Sequence, residues 1–176
     1  MCPDRTIIHL NVADFAVAVE RRVDCRLHGR PVVIAPGGAR AVVYDMSQEA
    51  YLAGIRKGMA LSRARRRCPG ALVLAPRIYR YEKAMQDLVR AAFPYSPLIE
   101  PGRADGHLFV DVTGTSRLFG PSEDVAWRLR REVRSGLGLN AIWSLASNKL
   151  MAKVASRLVK PEGEYVMKRG DEAQLL

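Results

Sequence analysis

The densest chemistry in this chain is cationic. Arg56, Lys57, Arg63, Arg65, Arg66 and Arg67 place six bases within twelve residues, with no acid among them. Side chains of this type neutralise successive phosphates, so phosphate contact is the chemistry the run suggests; the competing reading is a solvated helix face. Arg128, Arg130, Arg131 and Arg134 have the spacing of an exposed helix face and read as solvated surface. Lys149 and Lys153 stand one helical turn apart. His9 and His107 have the donor type of a metal pair, but a histidine on a strand more often hydrogen-bonds within its sheet. Cys2, Cys25 and Cys68 show no CxxC spacing, which argues against a zinc site or a disulfide frame. Arginines beside Cys68 in RRRCPG would lower a thiol pKa, although a small half-buried residue at a turn is the favoured reading. Trp127 and Trp143 read as core or half-core residues.

The chain of 176 residues is 48% hydrophobic and 26% charged, the balance of a folded domain or two small ones. Its formal net charge is +10 and its pI is near 10. A protein so basic meets a polyanion, and nucleic acid is favoured over an acidic membrane because no segment reads as a basic amphipathic anchor. No apolar run approaches the roughly 20 residues of a membrane span. The opening MCPDRTIIHLNV breaks after Leu10 and carries Asp4, unlike a signal peptide. The expected setting is a reducing cytoplasm, with no membrane partner.

The elements that must position these residues follow from periodicity. Residues 6–12 predict a strand, 14–25 a helix, 32–36 a strand, and 41–44 a strand pairing with it as a hairpin. Short helices are expected at 47–53 and 60–67, with Ser47 and Ser62 as caps. A strand at 71–75 precedes an amphipathic helix at 79–92. Leu98–Glu100 and 107–113 predict a hairpin. A helix at 122–135, capped by Ser122, carries Glu123 and Asp124 in its first turn, where the dipole favours acids. Strand 141–146, helix 148–159 and strand 164–168 complete the pattern. The fold class is α+β: a β-α-β-β-α-β mixed sheet, ferredoxin-like, with helices on one face, plus a small α/β lobe inserted at 26–76.

Five segments then carry a likeness. HLNVADFAVAVE (9–20), LHGRPVVIAP (27–36), SQEAYLAGIRKGMALSRARRRCPGALVLAP (47–76), IEPGRADGHLFVDVTG (99–114) and SNKLMAKVASRLVKPEG (147–163) resemble, in order and spacing, the palm and fingers of Y-family (DinB/UmuC-type) translesion DNA polymerases. The likeness covers nearly the whole chain, and its last segment is the most specific. It implies a palm at 1–25 and 77–168, fingers at 26–76, and the start of a missing thumb at 169–176. It also implies DNA repair and translesion synthesis within an SOS-type damage response. The DNA would be damaged or primer-template. A replicative or translesion polymerase and the sliding clamp would be further partners.

The family's chemistry is phosphoryl transfer with two Mg²⁺ ions held by carboxylates. Here the first metal aspartate matches Asn11, and the Asp-Glu pair matches Gly106 and His107. The tyrosine and arginine that grip the triphosphate match Gln48 and Tyr51, whereas Lys160 matches the family's triphosphate lysine. Ala16 stands where a bulky aromatic would screen out ribonucleotides. Asp14 and Asp105 are weak candidates for a displaced metal site, and Asp111 matches a structural aspartate. By resemblance, Lys149 and Lys153 contact template or primer. The leading expectation is a non-catalytic accessory similar to the ImuB-like proteins, with no cofactor. The alternatives are an active DNA-directed DNA polymerase with relocated ligands, which would need Mg²⁺, and a basic module that binds protein.

Overall fold

A computed structural model describes residues 5–168, 170 and 171. Cys2, the terminal QLL and most of the expected thumb start at 169–176 lie outside them. The chain divides into two compact units, Met1–Ala13 with Lys83–Leu176, and Asp14–Glu82. The second unit is wider than the expected insertion at 26–76, because the first helix packs on its strands.

In the first unit, β1 (Ile7–Val12) is the centre of a five-stranded sheet. The other strands are β5 (Ile99–Pro101), β6 (His107–Asp111), β7 (Ala141–Ala146) and β8 (Glu164–Val166), in the order β5-β6-β1-β7-β8. β1 runs antiparallel to β6 and β7, and β8 is parallel to β7. Omitting β8 leaves the strand order of a ferredoxin-like β-α-β-β-α-β unit, as the element pattern predicts. Every residue of β1 and β7 is buried, so both faces of the sheet are covered at its centre. On one face lies α6 (Ser122–Leu137), whose Trp127 meets Trp143 edge-on at 6.1 Å. The other face carries α7 (Lys149–Leu158), packed on Ile7 and Ala146 through Met151, Ala152 and Ala155. The expectation of helices on one face therefore holds for α6 but not for α7, whose small residues let it lie close against β1 and β7.

The second unit is built on β2 (Val32–Ile34), flanked by β3 (Asp45–Met46) antiparallel and β4 (Leu72–Leu74) parallel. Around this sheet run α1 (Phe15–Val23), α2 (Gln48–Leu52) and α3 (Leu61–Arg67), and α4 (Ile78–Ala92) crosses the boundary between the units. Its core gathers Val33, Val43, Met46, Ala50, Ile55, Leu61 and Ala64.

Several local expectations are corrected. The partner of β2 is not 41–44 but β3; Val42 only bridges to Ala60, and Tyr44 donates its amide to Ile34 at 2.8 Å. Ser47 caps α2 by accepting from the Ala50 amide, but Ser62 lies inside α3 and Ser122 is already helical in α6, so neither caps. A 3₁₀ turn at Cys25–Leu27 and a short helix α5 (Ser116–Phe119) add to the expected elements. Both are single turns too short to show apolar periodicity.

Candidate functional site

The sheet register assembles the expected site in the first unit. Asn11 on β1 pairs with His107 on β6, and the Val12 amide donates to the Gly106 carbonyl at 2.9 Å. Asn11 is 1% exposed, and its side-chain NH₂ finds no hydrogen-bond partner among the described residues. Gly106 has φ +78°, a left-handed value that suits glycine. The turn before β6 is closed by the Gly102 amide donating to His107 O at 2.8 Å and by the His107 amide donating to Asp105 Oδ1 at 3.1 Å. Asp105 therefore serves its own turn.

His107 does not stand alone. Its Nδ1 lies 3.0 Å from His9 Nε2, and His9 Nδ1 lies 3.0 Å from Ser156 Oγ on α7. The two imidazoles are within 7° of parallel with centroids 5.1 Å apart. Combined with the 3.0 Å N···N distance, this is an edge-to-edge hydrogen bond rather than a face stack. Phe109, opposite His9 in the register, supplies the face contact at 4.5 Å. The network assigns the protons. Ser156 donates its hydroxyl to Lys153 O at 2.9 Å, so it accepts from His9 Nδ1–H. His9 Nε2 then accepts from His107 Nδ1–H. Burial first, then the positive charges of His107, Lys153 and Lys160, pull His9 from 6.5 down to about 3. His9 is thus a neutral, fixed acceptor at any physiological pH. The metal-pair reading of His9 and His107 gives way to a hydrogen-bonded relay.

These residues do not fit a pair of Mg²⁺ ions. A divalent hard cation calls for anionic oxygens; the site offers a neutral amide with an orphaned NH₂, a glycine, and an imidazole whose Nδ1 already serves His9. Among the described residues no group of three or more His, Cys, Asp or Glu could hold a metal. Asp14 has φ +50° at the start of α1 and does not cap it. That role passes to the buried Asp45, whose Oδ2 accepts from the Ala16 amide at 2.8 Å.

In the second unit the basic run divides. Arg63, Arg65, Arg66 and Arg67 are exposed on α3, whose buried side is Leu61 and Ala64. The first two bases of the run, both exposed, also have partners within the unit. Lys57 Nζ sits 2.8 Å from Asp45 Oδ1, which is buried. Arg56 donates to the carbonyls of Tyr51 and Ile55, and its guanidinium lies 3.8 Å over the Tyr51 ring. Tyr51 thus stacks on an arginine where the family has the arginine itself. Gln48 opens α2, half-buried. On α7, Lys149 is ion-paired with Glu100 and Lys153 is exposed; Lys160, also exposed, follows the helix.

Two buried networks escaped sequence reasoning. Glu20 on α1 accepts from Arg77 and Arg80, each at 3.0 Å, and from Tyr81 at 3.2 Å. The Ser156–His9–His107 relay is the other. A glutamate at an apolar position of α1 signals the first; nothing in the local sequence ties Ser156 to residues 9 and 107.

The architecture is that of the palm and fingers region of Y-family DNA polymerases. A crystal structure of DinB from Sulfolobus solfataricus aligns with a TM-score of 0.86 at 23% identity, over 94% of this chain and 49% of that one. An insertion ternary complex of Dbh DNA polymerase aligns with a TM-score of 0.84 at 23% identity, over 93% and 49%. The chain belongs to the impB/mucB/samB family, whose model matches residues 10–157. Among curated relatives, "DNA polymerase IV" of Desulfatibacillum aliphaticivorans is 37% identical over 164 residues, 93% of this chain and 41% of the relative. "DNA polymerase IV" of Halorhodospira halophila (strain DSM 244 / SL1) is 40% identical over 165 residues, 93% and 46%. The chain therefore spans less than half the length of these relatives.

Proposed function

We propose that this chain is a DNA-binding member of the impB/mucB/samB family that does not itself polymerise and assists a separate polymerase at damaged DNA. The observation that carries the proposal is the buried Asn11 facing His107 across β1 and β6. Its amide brings no charge, and the imidazole is committed to His9. DNA binding is supported by the net charge of +10 and by the four exposed arginines of α3. A translesion polymerase and the sliding clamp are the partners such a role calls for, and no metal cofactor is part of it.

A second reading, an active polymerase, is favoured by the names of the relatives. Primer extension with Mg²⁺ or Mn²⁺ separates the two. No template-dependent product is expected. Product that disappears in Asp105→Asn would establish the second reading. That substitution keeps an oxygen for the His107 amide and removes only the charge, so the loss would be one of metal binding and not of turn geometry.

A further inference from the structure

The outward stripe of α6 has no role in either reading of the site. Val125, Ala126, Leu129 and Val133 turn inward, which leaves Trp127, Arg131 and Arg134, spaced i, i+4 and i+7, along one exposed line. Trp127 is 48% exposed although it is the largest apolar side chain of the helix. Together with the stems of Arg128, Arg130, Arg131 and Arg134 it lines a shallow trough of about 420 Å³. This stripe lies on the sheet face opposite α7 and the His9–His107 relay, because Trp143, which Trp127 touches, alternates with Ser144, which bonds to α7 through Ala152 O.

The arginines around the trough are not equivalent. Arg128 is spent on the carbonyls of Phe119 and Asp124, and Arg130 on Glu164 and on the Trp127 ring at 5.5 Å. Arg131 and Arg134 make no side-chain bond within the described residues and present two guanidinium forks one turn apart. An apolar trough beside two unpaired forks complements an acidic segment that carries one apolar side chain. A nucleic-acid strand fits less well. Arg130 lies 5.5 Å over one face of the indole, and the ring meets Trp143 at 72°, which leaves at most one face for a base. Two charges also track a phosphate backbone poorly beside the four of α3.

We propose that the Trp127–Arg131–Arg134 stripe of α6 docks an acidic protein segment through one apolar anchor, on the face away from the His9–His107 relay. The surface is independent of whether the chain polymerises.

The test uses the full chain and its own fluorescence, since Trp143 is 1% exposed and Trp127 is the tryptophan open to a ligand. The probe is a heptapeptide of Glu and Asp with a central Phe. A saturable change in emission is expected, weakened about tenfold or more by the charge reversals Arg131→Glu and Arg134→Glu together. It should also be weakened when the Phe is replaced by Gly. Equal binding by the doubly reversed chain, its fold checked by far-ultraviolet circular dichroism, would overturn the proposal. So would equal binding of the Gly peptide, which would mean charge condensation without an anchor. If a dT oligonucleotide loses as much affinity as the peptide in that variant, the stripe is a nucleic-acid surface and the proposal fails. Comparison of the Phe peptide with its all-Gln counterpart needs no variant at all, and equal affinities there would also sink it.

Discussion

At the scale of single residues, His9 makes the first prediction. In the unfolded chain its imidazole protonates near 6.5, whereas in the fold it stays neutral until about 3. The unfolded state therefore binds more protons throughout this window. The stability His9 contributes is complete above pH 6.5 and is lost as pH falls toward 3, with a slope of up to about 1.4 kcal/mol per pH unit. Urea melts between pH 7.5 and 5 should show this decline, and His9→Gln should flatten it. Parallel pH profiles for the two chains would place the acid sensitivity elsewhere. Gly106 makes the second. Restoring carboxylates with Asn11→Asp, Gly106→Asp and His107→Glu puts a side chain at φ +78°, costing on the order of 1 kcal/mol or more. It also strands the acceptor Nε2 of His9. The triple variant should melt lower than the unmodified chain and still extend no primer; robust extension would show that the site is missing only its charges.

At the scale of elements, Glu20 ties α1 to the chain entering α4, and the outcome depends on which partner is removed. Arg77 and Arg80 are partly exposed and can return to water; Glu20 is 3% exposed at its side chain and cannot. Removing both arginines should therefore cost more than Glu20→Gln, which leaves no buried charge behind, although solvent at the two arginines screens part of the loss. Thermal or urea unfolding of the two variants checks the order. The same division governs α3 and the loop before it. Lys57→Ala should show up as a modest loss of stability, because it deprives the buried Asp45 of a partner that is itself half-screened by solvent. Replacing Arg63, Arg65, Arg66 and Arg67 by Ala should leave stability nearly unchanged and weaken DNA binding. Sequence periodicity foretold most of the longer elements, since α4, α6 and α7 carry clear apolar stripes and β1 and β7 are unbroken apolar runs. It missed β3, whose two residues are too few to alternate and whose Asp45 is buried as a helix-capping acceptor. It could name Asn11 and His107 as partners only through resemblance, because their pairing depends on the register of strands nearly a hundred residues apart.

At the scale of the whole molecule, the charge of +10 predicts binding that is weak, indifferent to base sequence and steeply salt-dependent. Dissociation constants on the order of 10⁻⁴–10⁻⁶ M at physiological salt are expected, the range of non-specific binding. In a titration of log K against log salt, the quadruple α3 variant should lower the slope by about 0.9 for each duplex phosphate it no longer neutralises. An unchanged slope would move the DNA surface to the side of Lys153 and Lys160.

The Ser156–His9–His107 relay also bears on how such a chain changes over generations. Its members occupy two neighbouring strands and a distant helix, and each fixes the protonation of the next. A single substitution back toward a metal-binding carboxylate meets a partner still set for the present arrangement: an aspartate at 11 would be buried without a cation, and a glutamate at 107 would withdraw the proton that His9 accepts. The route back thus runs through intermediates less stable than either end. On the non-polymerising reading proposed above, hydrogen bonds of this kind would stand where ions once did, and the exchange would act as a ratchet held in place by the fold's own stability.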